Sequence, residues 1–228
     1  PAAQGWRWDA IGAEPANHAE LKRLTGRFAF VEALWLTDRD GRPRVTSRQF
    51  PAPEIDTSDR EYFVALRDRR PGPLVSRLIG SRVTRRGNIV FARRLEDGSG
   101  TFQGIAQAVL SPDYFLGFYQ SLALSPGTEV SLFRDDGAVV VRFPAVPDEL
   151  ALRLDKWLSP PAGWHETESG SDRALSPADG VERLESWRRV GRYSLHVAVG
   201  HAVPEIEAEW RRLIFVQGCF VVGALTAV

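Results

Sequence analysis

The stretch DTSDREYF, residues 56–63, decides how the chain is read, because it predicts a helix start and places a cation beside two aromatic rings. Ser58 and Glu61 have the S-x-x-E spacing of a capping box, which predicts a helix with Ser58 as its N-cap and an end near Arg69. Arg60 would then lie in the first turn, where the helix dipole gives a cation no local stabilisation. We therefore expect Arg60 to interact with a negatively charged group.

Two interpretations of Arg60 follow from the residues around it. A guanidinium next to Tyr62 and Phe63 can bind a planar anion through a fork of hydrogen bonds. Alternatively, Arg60 pairs with Asp56 or Asp59 and the two rings belong to the core, since structural ion pairs use the same residue types. The stretch alone leaves both interpretations open.

Bulk composition excludes several classes of protein. The chain has 228 residues, enough for one large or two small domains, with 43% hydrophobic and 25% charged residues, as in ordinary globular proteins. Its formal net charge is zero and no basic stripe alternates with aromatic residues, so a nucleic-acid partner is not expected. The single cysteine, Cys219, excludes an internal disulfide and a cysteine-ligated metal.

Catalytic and metal-binding patterns are not found in the sequence. It contains no H-E-x-x-H, no G-x-S-x-G and no phosphate-binding glycine loop. The histidine pair His196 and His201 lies five residues apart, which is not a metal-ligand spacing. The sequence therefore predicts no catalytic site, no metal and no cofactor.

The last residues form an uncharged, apolar run from Leu213 to Val228. Its length and composition suggest the first part of a transmembrane helix cut off by the end of the chain, with Trp210 as a headgroup-level anchor. Arg211 and Arg212 weigh against an extracytoplasmic placement of the preceding residues, and a buried C-terminal helix is the alternative. The sequence has no methionine, which is expected of a fragment or a processed form.

Two halves of the chain repeat one order of elements: strand, acidic turn ending in glycine, strand, helix and strand pair. In the first half the pattern predicts a helix from Asn17 to about Val31, a hairpin, the helix from Ser58, a strand pair and a helix capped by Ser111. The predicted strands cover 34–37, 44–49, 88–95 and 101–110. In the second half it predicts strands over 130–133, 138–143, 182–190 and 192–199, a helix over 148–158, a long loop over 159–180, and a helix from Pro204.

One predicted strand carries a second candidate arginine. Alternation over 88–95 places Ile89, Phe91, Arg93 and Leu95 on one face. An arginine among apolar neighbours needs an anion, from a protein carboxylate or from a ligand, because a buried unpaired charge is costly. Arg94 points to the other face and is expected to be solvated.

The order of these motifs resembles the double Cache sensor domains. The residues that carry the resemblance are the D-x-D-G turn, S-D-R-E-Y-F, F-A-R-R-L, D-G-S-G, F-Q-G-I, S-P-D-Y-F and the later E-S-W-R-R-V-G-R-Y-S-L-H-V-A-V-G, spread over about residues 20 to 210. The resemblance implies an α+β fold in which a long N-terminal helix carries two tandem PAS-like (Cache) modules, each an antiparallel sheet with flanking helices. The expected division is an N-terminal helical stalk (1–33), a membrane-distal module (34–125), a membrane-proximal module (126–203) and a C-terminal helix entering the truncated span (204–228).

The same resemblance implies a place and a role. Such modules lie outside the inner membrane, between transmembrane helices, and feed histidine kinases, diguanylate cyclases or chemoreceptors. The chain is thus expected to be a non-enzymatic, membrane-anchored periplasmic sensor and a homodimer. The alternative is a ligandless domain that dimerises or binds a partner protein.

The resemblance also suggests a ligand site. In relatives that bind amino acids, an arginine followed by two aromatic residues holds the carboxylate, and Arg60, Tyr62 and Phe63 match those positions. The aspartate and tyrosine that complete the site there correspond to Val109 and Ile55 here, so an amino acid is not expected. The predicted ligand is a small mono- or dicarboxylate bound by Arg60 and Arg93, with Tyr62, Phe63 and Phe91 around it.

Overall fold

The computed structural model describes residues 7–68, 72–83, 87–145, 167–176, 179–191 and 193–226. The described helices are α1 (Trp8–Ile11), α2 (Pro15–Thr25), α3 (Glu61–Arg67), α4 (Pro112–Ser121) and α5 (Val203–Thr226). The described strands are β1 (Val31–Asp38), β2 (Pro43–Thr46), β3 (Leu74–Val75), β4 (Ile79–Gly80), β5 (Gly87–Glu96), β6 (Phe102–Leu110), β7 (Thr128–Arg134), β8 (Val139–Phe143), β9 (Ser169–Leu175), β10 (Glu182–Arg189) and β11 (Leu195–Ala202).

These strands form two antiparallel sheets with the same internal order. The first sheet runs β2-β1-β6-β5-β3, with β4 paired to β5, and the second runs β8-β7-β11-β10-β9. In each sheet a hairpin is followed by later strands, four in the first sheet and three in the second, and the last of them pairs with the hairpin's first strand. The α+β class and the internal repeat predicted from the sequence are therefore confirmed.

The expected long N-terminal helix is wrong. α2 ends at Thr25, where the N–H of Gly26 bonds to the carbonyls of Lys22 and Leu24, and Val31 already opens β1. The apolar residues that suggested a continuous helix lie in different environments: Leu21 is buried against the sheet, whereas Phe28 is exposed. Among the described residues, a short helix lying on β1 takes the place of the long helix.

Of two further predictions of local structure, one is wrong and the other falls on residues that the structure does not describe. Residues 169–175, predicted as part of a long loop, form the edge strand β9 paired to β10. The sequence SGSDRAL shows no alternation because an edge strand is held by its backbone hydrogen bonds and leaves most side chains in water. The helix predicted over 148–158 lies outside the described residues.

A shared apolar cluster joins the two sheets through α4. Ile89 of the first sheet packs with Tyr119 of α4 and with Val130 and Leu195 of the second sheet. The N-terminus of α4 is as predicted, since the Ser111 Oγ accepts a hydrogen bond from the Tyr114 N–H at 3.3 Å. α4 thus fixes the second sheet against the face of β5 that carries Ile89.

α5 continues directly from β11 and is helical over Val203–Thr226. Among the residues that the structure describes, no helix is both long and apolar enough to cross a membrane. That the run from Leu213 onward begins a transmembrane segment stays a prediction.

Candidate functional site

The first sheet and α3 enclose a cavity, here called the first-sheet cavity. It holds about 590 Å³ of empty space including its open mouth. Its floor comes from β1, β5 and β6, one wall from residues 55–62, and the opposite wall from residues 79–83. The lining residues are Trp35, Thr37, Pro43, Arg48, Ile55, Thr57, Arg60, Tyr62, Ile79, Gly80, Ser81, Arg82, Val83, Asn88, Val90, Gln107 and Val109.

Helix α3 begins later than the capping box predicts. Its first residue is Glu61, the N-cap position is Arg60 in extended conformation, and no side chain caps the helix. Ser58 instead lies in a turn where its N–H bonds to the Asp56 Oδ1 at 2.8 Å. The shift places Arg60 at the edge of the cavity rather than inside the first helical turn.

The turn at Gly41 explains why the chain bends at this point. Both the N–H and the hydroxyl of Thr57 donate to the Gly41 carbonyl, at 2.9 and 2.8 Å. Gly41 has φ +84°, and a Cβ there would come within 2.6 Å of the Ser58 nitrogen. Only glycine permits this contact. The acidic turn of the first hairpin therefore holds the segment that carries Arg60.

Arg60 differs from the other two arginines on the cavity wall. Arg48 pairs with Glu32 at 3.2 Å and Arg82 pairs with Asp59 at 2.5 Å. Arg60 donates one hydrogen bond, from Nη2 to the Gly80 carbonyl at 3.1 Å, and forms no ion pair with any described residue. A guanidinium has five N–H donors, so most of its capacity is available to an anion.

Tyr62 lies in the same cavity and is buried, whereas Phe63 lies behind it. Burial raises the pKa of Tyr62 to about 12, and the charge of Arg60 opposes this rise. The phenol therefore stays protonated at physiological pH and can donate a hydrogen bond. Phe63 packs edge-on against Phe102, with ring centroids 5.7 Å apart, and belongs to the core under α3.

Phe91 and Arg93 lie on the opposite face of the sheet from the cavity. The predicted alternation of β5 is observed, but the cavity faces the other set of residues, which includes Asn88 and Val90. Phe91 packs against Tyr193, with centroids 6.1 Å apart, and Arg93 is exposed. Of the five predicted site residues, the structure brings Arg60 and Tyr62 together in the first-sheet cavity.

Arg94 is the covered arginine of β5, which reverses the predicted roles of Arg93 and Arg94. Its Nη1 donates to the carbonyls of Leu66 and Arg67 at 2.6 and 2.7 Å, and its guanidinium lies 4.7 Å from the centroid of the Phe102 ring. A cation at the last carbonyls of a helix is favourable. Arg94 thus fixes the C-terminal end of α3, whose other end lies at the cavity.

Sequence reasoning missed several polar residues of the cavity floor. Gln107 and Thr37 form a buried hydrogen bond at 2.7 Å, and Asn88 is buried at the start of β5. The available signal was a polar residue at the same alternation as buried apolar ones: Asn88 with Val90, and Gln107 with Val109. A polar side chain in such a position indicates a cavity or a buried network.

An ion pair connects α3 to the second sheet. Arg134, at the end of β7, lies 2.7 Å from Glu61 and also donates to the Val75 carbonyl at 3.3 Å. Its side chain is 7% exposed and that of Glu61 is 40% exposed. Glu61 directly follows Arg60, so two consecutive residues at the start of α3 contact the cavity and the second sheet.

Comparison with known proteins now identifies the fold. Residues 112–200 match the family described as "dCache_1_like: Histidine kinase sensor domain". The extracellular domain of rpHK1S-Z16, which is named as a histidine kinase, is 27% identical, with a TM-score of 0.72 over 89% of this chain and 86% of that one. Over residues 112–200 the chain is thus similar to a dCache-like sensor domain, and its fold is similar to that of an extracellular histidine-kinase domain. No curated protein sequence matches it.

More distant ligand-binding and sensor domains share the fold. The ligand-binding domain of the Pseudomonas aeruginosa PAO1 chemoreceptor PctB, in complex with L-Arg, is 17% identical, with a TM-score of 0.64 over 92% of this chain and 83% of that one. The sensor domain of the V. cholerae histidine kinase DctB is 14% identical, with a TM-score of 0.51 over 85% and 83%. These related structures are described as extracellular, sensor or ligand-binding domains.

Proposed function

We propose that the chain is the extracytoplasmic, double Cache-like sensor domain of a transmembrane signalling receptor and binds a small carboxylate in the first-sheet cavity. The observation that carries the proposal is the state of Arg60, a cavity guanidinium that no described carboxylate neutralises. Tyr62 adds a protonated hydroxyl beside it. An incoming carboxylate would supply the missing negative charge and accept a fork of hydrogen bonds.

The cavity favours a carboxylate without an ammonium group over an amino acid. None of its lining residues is aspartate or glutamate, so no described side chain there would neutralise an ammonium group. The positions expected to hold the amino-acid contacts, Val109 and Ile55, do line the cavity, and both are apolar. PctB was crystallised with an amino acid, and we propose that this chain takes a ligand without the ammonium.

We further propose that ligand binding in the cavity affects the second sheet through the ion pair between Glu61 and Arg134. Arg134 is paired in register with Leu195 of β11, and β11 leads without interruption into α5. A ligand that repositions residues 60–61 would change this ion pair and, through β7 and β11, the start of α5. The ligand shifts that equilibrium only as far as its affinities for the two arrangements differ.

The test is a thermal-shift screen of small mono- and dicarboxylates on the 228-residue chain and on Arg60→Ala. At least one acid should raise the melting temperature of the wild-type chain, and the shift should vanish in Arg60→Ala. Arg93→Ala is the matched control, because that exposed arginine lies on the other face of the sheet. An unchanged shift in Arg60→Ala would contradict the site.

One surface supports a second candidate, a ligandless association domain. Phe28, Tyr114, Phe118 and Leu122 are exposed. Phe30 joins Phe28 to Tyr114, with ring centroids 5.7 and 5.8 Å away. Exposed apolar patches of this kind often mark interfaces. A screen without any stabilising acid, together with a dimer lost in Phe118→Ser, would favour this candidate.

A further inference from the structure

The charges along the wall of the first-sheet cavity leave one arginine for a ligand to neutralise. Among the described lining residues, three are arginines and none is aspartate or glutamate. Arg48 is already paired with Glu32, and Arg82 is paired with Asp59. Arg60 forms no ion pair with any described residue. This charge balance matches a ligand with one carboxylate rather than two.

The guanidinium of Arg60 lies at one end of the cavity, beside the first residues of β5. It donates a hydrogen bond to the Gly80 carbonyl, and Gly80 of β4 pairs with Gly87 at the start of β5. Asn88, the next residue of β5, also lines the cavity. A carboxylate bound to Arg60 is therefore expected at this end of the cavity, called here the polar end.

Next to the polar end, the floor and both walls carry aliphatic side chains. On the cavity face of β5, Val90 follows Asn88 by two residues, which is about 7 Å along the strand. Val90 pairs in register with Val109 of β6, and both line the cavity. Ile55 and Ile79 line the two walls. A ligand held by its carboxylate at the polar end therefore lays the rest of its body against aliphatic groups.

Polar residues elsewhere in the lining are already bonded to the protein. The Gln107 amide donates to the Thr37 hydroxyl at 2.7 Å, and the Thr57 hydroxyl donates to the Gly41 carbonyl at 2.8 Å. A second carboxylate of the ligand would lie over the aliphatic floor without a partner, or would displace a protein carboxylate from its arginine. Both are unfavourable, because a buried carboxylate needs an opposite charge and hydrogen bonds.

We infer that the ligand is a monocarboxylate with an apolar body, its carboxylate on Arg60 and its body over Val90 and Val109. This inference rests on the proposed carboxylate site and adds the chemical class of the ligand. Arg60 fixes the orientation of the acid, and the aliphatic floor and walls select its body. Small-molecule sites are commonly built in this way, from mostly apolar side chains and a few orienting polar groups.

The test is isothermal titration calorimetry of the 228-residue chain with acids of equal carbon number. The probes are butyrate against succinate and hexanoate against adipate, so that a methyl group replaces the second carboxylate. In each pair the monocarboxylate should bind at least about tenfold more tightly, because the second carboxylate finds no partner. From butyrate to hexanoate the affinity should rise about fourfold for each added methylene group that is buried. Arg60→Ala should abolish binding of all four acids.

One variant tests the charge balance by a gain of binding. Asp59→Asn removes the carboxylate that neutralises Arg82 and gives the cavity wall a second arginine without a partner. The preference for the monocarboxylate should narrow by at least about threefold in at least one pair. Asp68→Asn is the matched control, since it breaks the exposed pair with Arg67, which does not line the cavity, and should leave the preference unchanged.

A second set of variants tests the apolar floor. Val109→Thr keeps the shape of the side chain and places a hydroxyl in the floor, which should weaken hexanoate at least about threefold. Ile55→Thr does the same in a wall residue that is only partly buried, so it serves if Val109→Thr is poorly folded. The matched control is Val45→Thr, because Val45 is buried in the cluster that includes Leu21 of α2 and does not line the cavity.

The possible outcomes distinguish this inference from the function beneath it. Equal or tighter binding of the dicarboxylates, lost in Arg60→Ala, would overturn the apolar monocarboxylate and leave the carboxylate site standing. Affinity for hexanoate that is unchanged in both Val109→Thr and Ile55→Thr would overturn the assigned floor and wall. A preference that is unchanged in Asp59→Asn would overturn the charge balance as its cause. Binding of none of the acids, or binding unchanged in Arg60→Ala, would overturn the carboxylate site and the inference with it.

Discussion

The two sheets share one strand order, yet the arginines associated with them have opposite surroundings. In the second sheet, Arg142 pairs bidentately with Glu129, both contacts at 2.7 Å, and both side chains are less than 10% exposed. Arg183 forms ion pairs with Asp179 at 2.7 Å and with Glu129 at 3.3 Å. Beside the first sheet, Arg60 lines the cavity and donates a hydrogen bond to one backbone carbonyl. The carboxylates that pair with the arginines of the second sheet thus come from the protein itself, whereas for Arg60 we propose that the carboxylate comes from a ligand.

The largest effect should come from breaking the closed cluster of the second sheet. Arg142→Met leaves the Glu129 carboxylate with Arg183 as its remaining arginine, and removing one partner of a buried pair should cost about 3 kcal/mol of unfolding free energy. Urea denaturation followed by circular dichroism measures this loss. Arg60→Met, in contrast, should change stability little. A larger loss for Arg60→Met than for Arg142→Met would show that the assignment of structural and ligand-binding arginines is reversed.

A smaller effect is expected from cutting the contact between the two sheets. Glu61→Gln removes the charge opposite Arg134, whose side chain keeps Asp136 at 2.5 Å, so the unfolding free energy should fall by about 1 kcal/mol. Hydrogen exchange should show that an acid which protects the amides of β7 in the wild type no longer does so in the variant. The matched control is Glu20→Gln, which breaks the exposed Glu20–Arg23 pair of α2 and should leave both properties unchanged. Protection of β7 that persists in Glu61→Gln would argue against this route between the sheets.

The smallest effect concerns pH. The hydrogen bond from Arg183 holds the pKa of Asp179 well below its usual range. A depressed carboxyl pKa stabilises the fold above about pH 4, and this stabilisation is lost as the pH falls further. Asp179→Asn should therefore be less stable than the wild type at pH 7, and the difference should shrink toward pH 3. Melting temperatures measured across this range test the prediction, and a difference independent of pH would contradict it.

The repeat of elements was predictable from the sequence because it depends on local signals. The hairpin around Gly41, the β5–β6 pair and the Ser111-Pro112 helix start each follow from turn chemistry and alternation over a few residues, and each is present. The edge strand β9 was not predictable in this way, since SGSDRAL carries no hydrophobic pattern and the strand is held by its backbone pairing with β10. The same applies to α2, whose end at Gly26 is set by the start of β1.

The site was predictable only in part, for a similar reason. Arg60 and Tyr62 were found because a cation beside aromatic rings is visible in eight residues. Alternation correctly grouped Arg93 with Phe91 but could not say which face of β5 meets the cavity, because that depends on where α3 and α4 pack. Trp35 and Asn88 line the same cavity although they are 53 residues apart in the sequence, so no local pattern joins them.

The central claim is that Arg60 receives the carboxylate of a ligand inside the first-sheet cavity. Its most direct test is a crystal structure of the 228-residue chain with the acid that gives the largest thermal shift. The account predicts a carboxylate with both oxygens within about 3.2 Å of the Arg60 guanidinium, beside the Tyr62 hydroxyl. Ligand density elsewhere, with Arg60 still bonded only to the Gly80 carbonyl, would contradict it.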